Sequence, residues 1–105
     1  MIQVIDGKRY NTETATEIAC WDNDLPSKEF NFIEETLYRT PKGAFFLYGR
    51  GGANSPYAEA REGGQTRCSG SAITPLTPEA ARSWLENHKQ TEALEEYFAD
   101  QIEDA

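Results

Sequence analysis

Cations are scarce in this chain, and scarcest at its end: ten Lys and Arg face 18 Asp and Glu, and none follows Lys89. A net charge of −8 repels nucleic acid, anionic membrane and acidic substrates at long range, so direct contact with any of them is not expected. Histidine is limited to His88, which excludes a multi-histidine metal site and leaves a His-based triad dependent on one residue. Its place on an apolar side near a helix end is accounted for by the helix dipole. The two cysteines, Cys20 and Cys68, are too few and too far apart in sequence for a disulfide framework or a Cys-rich zinc site, and are expected as free thiols. No apolar run approaches the length of a membrane span, and the opening MIQVIDGKRY lacks the basic-then-apolar order of a signal peptide. A soluble, cytoplasmic protein without metal or cofactor is the expectation. Its 105 residues suit one domain, residues 1–105.

What is abundant is acid, and it is unevenly placed. Residues 1–76 carry ten acids against eight bases, a net of −2; residues 77–105 carry eight acids against Arg82 and Lys89, a net of −6. Three quarters of the excess therefore lies in the final segment.

Hydrophobic patterning predicts an α+β fold, a small, mainly antiparallel β-sheet with two C-terminal helices packed on it. Residues 2–5 and 8–11 flank Asp6-Gly7, a dipeptide suited to the positive φ angles of a tight hairpin turn. Residues 15–21 read as a strand and 22–27 as a loop. Residues 30–40 and 44–49 form a second hairpin around Thr40-Pro41-Lys42-Gly43, and the apolar run 44–48 marks a central strand covered on both faces. Residues 49–71 are rich in Gly, Ser and polar residues and predict a long loop with one helical turn at 57–61. Residues 71–76 return as a short strand.

Thr77-Pro78 signals a helix start, with Ala80, Ala81, Trp84, Leu85 and His88 on one face. Thr91 repeats the capping signal for a second helix, with Leu94, Tyr97, Phe98, Gln101 and Ile102 as its inward stripe. Trp84, Leu85, Leu94, Phe98 and Ile102 are expected to dock the helices on the sheet. Trp21, Trp84, Tyr97 and Phe98 read as core, because the surrounding charge argues against a base-stacking platform.

Most acidic arcs are solvated helix faces. This one has no cations interleaved at i, i+4, and it carries acid up to the C-terminal end, where the macrodipole favours cations. On a continuous helix Glu92 to Glu103 would span roughly 16 Å, with successive carboxylates about 5–6 Å apart, a spacing comparable with nucleic-acid phosphates. The candidate partner-binding residues are Glu86, Glu92, Glu95, Glu96, Asp100, Glu103 and Asp104, and the expected partner is a basic DNA-binding surface.

Other motifs carry less. Gly49-Arg50-Gly51-Gly52 is not followed by Gly-Lys-Ser/Thr and does not make a phosphate loop; it reads as a flexible turn. Arg50, Arg61 and Arg67 offer a basic patch on the same loop. No nucleophile and base stand at a recognisable spacing, so no catalytic residue is assigned and an enzyme is not expected.

At Tyr10-Asn11-Thr12-Glu13-Thr14-Ala15, at Glu35-Thr36-Leu37-Tyr38-Arg39-Thr40 with Gly43-Ala44-Phe45-Phe46-Leu47-Tyr48-Gly49 and Gly51-Gly52, and at Ile73-Thr74-Pro75-Leu76-Thr77 with residues 80–86, the chain resembles a family of small proteins carried by bacterial mobile elements. Small acidic proteins of that setting include anti-CRISPR and antirestriction inhibitors, several of which imitate DNA. The resemblance implies a role against a nucleic-acid-targeting defence complex, CRISPR-Cas above all, but transfers no site residues. The other expectation is a protein-interaction module, an antitoxin or assembly factor, that docks through residues 49–71 and uses its charge for solubility.

Overall fold

The computed structural model describes residues 1–60 and 67–104. The fold is α+β, with a four-stranded antiparallel sheet at its centre and two helices near the C-terminus.

The chain opens with a hairpin of β1 (Ile2–Ile5) and β2 (Lys8–Asn11). Asp6 and Gly7 take φ of 50° and 77°, as a two-residue primed turn requires. The central sheet follows: β3 (Thr16–Asp22), β4 (Ile33–Arg39), β5 (Phe45–Gly51) and β8 (Gly70–Leu76), in the order β3-β4-β5-β8. Its edges carry features that interior strands avoid: a register shift between Glu17 and Ala19 in β3, and Pro75 in β8.

The second expected hairpin is present, with two adjustments. Its first strand begins at Ile33, and Phe30 lies in the preceding loop, 68% exposed. Its second strand runs on to Gly51, so the Gly49-Arg50-Gly51 run is paired strand and not a flexible turn. Between β5 and β8, β6 (Glu59–Ala60) pairs antiparallel with β7 (Arg67–Cys68). A helical turn is expected from sequence at 57–61, but residues 59–60 are extended and Tyr57 and Ala58 are not helical; Arg61 lies outside the described residues.

The strand run 45–48 is covered on both faces, as its composition predicts. Phe45 and Leu47 join Leu37 and the helices in one buried cluster, while Phe46 lies on the other face with Ile73 and Tyr10 of β2. The Tyr10 ring meets Phe46 edge-on at 5.5 Å, and Tyr38 stacks on Phe46 at 5.2 Å. Leu37, Phe46 and Leu85 are fully buried, each contributing about 1.5–3 kcal/mol relative to exposure.

Thr77 caps α1 (Pro78–Asn87), its Oγ1 accepting from the Ala80 N–H at 3.1 Å. Ala81, Trp84 and Leu85 are the buried face of this helix. The second helix, α2 (Thr91–Tyr97), departs from expectation. Its N-cap is Gln90 with no side-chain cap bond, so Thr91 is the first helical residue. It also stops after seven residues, at Phe98, and the chain tightens into a 3-10 turn at Ala99–Gln101. The like-charged pair Glu92/Glu96 at i, i+4, the absence of a cation in the last turn and the short length all weaken it. Burial of Phe98 against Phe45, with ring centroids 5.5 Å apart, anchors the chain where the helix ends. Trp84, Leu85 and Phe98 dock as expected and Leu94 packs half-buried beside them; Ala93 takes a buried place, Gln101 is exposed and Ile102 is 44% exposed.

Candidate functional site

All seven candidate carboxylates are exposed, but they do not form one helical row. Glu86 is on α1, Glu92, Glu95 and Glu96 are on α2, Asp100 is in the 3-10 turn, and Glu103 and Asp104 follow it. The continuous ladder from Glu92 to Glu103 is therefore broken after Tyr97. Three members, Glu86, Glu95 and Glu103, instead border one depression of about 460 Å³ with Arg82, Thr91, Leu94, Gln101 and Ile102; Glu92, Glu96, Asp100 and Asp104 lie outside it.

Lys89 is exposed between the two helices, and Arg82 is the cation that borders this depression. Its Nη1 donates to Gln101 Oε1 at 2.7 Å, which ties the 3-10 turn back to α1. Its Nε lies 3.3 Å from Glu86 Oε1 without a directed hydrogen bond, so this contact is a partly exposed i, i+4 charge pair of small energy. Glu92, Glu95, Glu96, Asp100, Glu103 and Asp104 have no salt bridge among the described residues. Neither helix has a base in its last turn to offset the dipole. The result is an outward negative field over two helices and the turn that follows.

A second cluster, on the helix-facing side of the sheet, was not singled out by the sequence. Glu35 of β4 pairs in register with Trp21 on one side and Gly49 on the other. Its side chain is 18% exposed, and it accepts from Trp84 Nε1 at 3.0 Å and from the Tyr57 hydroxyl. The Tyr57 ring occupies the space a Cβ on Gly49 would need, so the glycine is the seat of the tyrosine. His88 closes the group: its Nε2 is 3.9 Å from Glu35 Oε1, and its ring lies 4.3 Å from that of Trp21 and 4.7 Å from that of Trp84.

Burial lowers the His88 pKa despite the opposing pull of Glu35, so the imidazole is mostly neutral at neutral pH and this contact is not a full ion pair. Burial and the bond to Glu35 raise the Tyr57 pKa, which keeps the phenol a donor. The arrangement fastens three separate pieces, the segment after β5, the end of α1 and strand β3, around one half-buried carboxylate. The signal for it was available: Glu35 is in step with Leu37, two residues on, and so falls on the core-facing side of its strand.

The remaining expectations divide. Of the expected three-arginine patch, Arg50 is engaged with Glu34 at 2.8 Å and lies over the Phe32 ring, Arg67 is in β7, and Arg61 lies outside the described residues. Cys20 and Cys68 are free. Among the described residues no group of three or more His, Cys, Asp or Glu is placed to hold a metal ion, and no helix is long and apolar enough to cross a membrane.

No protein-family model matches the chain, no curated protein matches its sequence, and no solved structure matches its fold.

Proposed function

We propose that this protein is a non-enzymatic inhibitor that binds the basic nucleic-acid-binding surface of a bacterial defence complex, of the CRISPR-Cas kind, and excludes DNA from it. The observation that carries the reading is the exposure of Glu86, Glu92, Glu95, Glu96, Asp100, Glu103 and Asp104 in a segment that carries −6 of the net charge of −8. Such a patch gains speed and specificity against a Lys/Arg-lined groove through complementary potential. Because the ladder breaks after Tyr97, the mimicry proposed is of a patch of phosphates and not of a long strand. The setting comes from the resemblance to mobile-element proteins, and a target of this kind places the protein in the cytoplasm of the bacterial host.

Replacing Glu92, Glu95 and Glu96 with Lys tests the proposal, since all three are exposed and have no salt bridge among the described residues; circular dichroism checks that the variant folds. Inhibition of the target's DNA binding is expected to fall at least about 100-fold, the effect of losing several favourable charge contacts and adding repulsive ones. Unchanged inhibition by the folded variant would instead favour docking through residues 49–71, whose base is tied to the sheet by Tyr57 through Glu35 and braced by Ser55, which donates to the Gly52 carbonyl.

A further inference from the structure

The scarce cations are not scattered evenly. The β1–β2 hairpin and the turn joining β4 to β5 enclose a cleft of about 580 Å³, where Lys8, Arg9 and Lys42 supply charge and Tyr10, Pro41 and Ala44 supply apolar surface. None of the three cations has a salt-bridge partner among the described residues. Among the described residues no acid borders the cleft; Asp6, in the turn before Lys8, is the nearest in sequence. In a chain of net charge −8 this is a local reversal of sign beside apolar surface. It suits an acidic peptide segment with an apolar side chain.

The chain carries such a segment. After the 3-10 turn the backbone is extended at Ile102, with φ of −104° and ψ of 132°. Ile102 is 44% exposed, and the exposed Glu103 and Asp104 that follow it have no salt bridge among the described residues. An exposed isoleucine next to two uncompensated carboxylates is the chemical complement of an apolar cleft edged by three uncompensated cations.

We propose that the Lys8/Arg9/Lys42 cleft receives residues 102–104 of a second copy of this chain. Cleft and segment are different surfaces, so two copies either close reciprocally, each segment in the other's cleft, as an isologous two-fold pair, or copies add head to tail through heterologous contacts. A contact of this size is weak and salt-sensitive. Glu103 also belongs to the acidic patch assigned to the partner, so self-association competes with partner binding and holds part of the inhibitor in a masked form.

Sedimentation equilibrium of the purified full chain over a range of concentrations, at low and raised salt, tests this without any partner. The wild type is expected to associate reversibly at low salt and to dissociate as salt rises. K8E/K42E and E103K/D104K are each expected to weaken association at least about tenfold, and circular dichroism checks that both fold. Mixing them is expected to restore association, because the reversed segment of one then meets the reversed cleft of the other. A wild type that stays monomeric throughout overturns the proposal, as does association that neither variant weakens or that mixing fails to restore. A failure of this kind leaves the partner-binding reading standing, since no target is present in the experiment.

Discussion

Glu35 is the residue on which most separate pieces of the structure converge. It accepts from Trp84 and Tyr57 and lies beside His88, so removing it strands donors that have been withdrawn from water. Glu35→Ala is expected to destabilise by about 2–4 kcal/mol, and Glu35→Gln, which keeps one acceptor, by about 1 kcal/mol; urea unfolding checks both. A pH dependence belongs to the same group. Unfolded, His88 takes up its proton near its ordinary value of about 6.5, whereas burial makes the folded imidazole resist it. Its contribution to stability is therefore intact above about pH 6.5 and is lost as pH falls through that region into the depressed folded range. Melting temperature is expected to drop between about pH 7.5 and about pH 5.5, and to drop less in His88→Gln. Glu35 was legible in principle from strand alternation. Tyr57 was not: its place depends on a chain reversal across 49–57 that no local pattern encodes, although Gly49 is the residue that permits it.

At the scale of elements, the sequence is most readable where a turn or cap has its own chemistry. Asp6-Gly7 specifies the first hairpin because both positions take positive φ, and Thr77-Pro78 specifies the start of α1 because the hydroxyl meets an otherwise orphaned N–H. Thr77→Ala is expected to cost about 1 kcal/mol, visible as an earlier thermal midpoint with an unchanged folded spectrum. Reading fails where a tertiary contact overrides periodicity. Residues 91–102 keep a helical apolar stripe, yet Phe98 leaves the helix to pack on Phe45, and with it go the extended acidic row and the burial of Gln101 and Ile102. The exposure of the seven acids could be read from charge and periodicity. Their division among two helices, a 3-10 turn and the extended segment after it could not.

The molecule as a whole joins two helices on one face of a sheet to a hairpin on part of the other, and separates its charges in the same way. The two helices and the turn after them present exposed carboxylates, while a cleft beside the first hairpin gathers three cations that have no salt-bridge partner among the described residues. The proposed function requires that the acidic patch compete with DNA for a basic surface. The most direct measurement is capture of nucleic-acid-binding complexes from bacterial host lysate on the immobilised protein at low salt, with elution by added DNA and, separately, by raised salt. A DNA-binding defence complex retained at low salt, released by DNA and weakened by salt is the expected result. Retention of that complex undisturbed by saturating DNA, or capture only of partners with no nucleic-acid function, would contradict it.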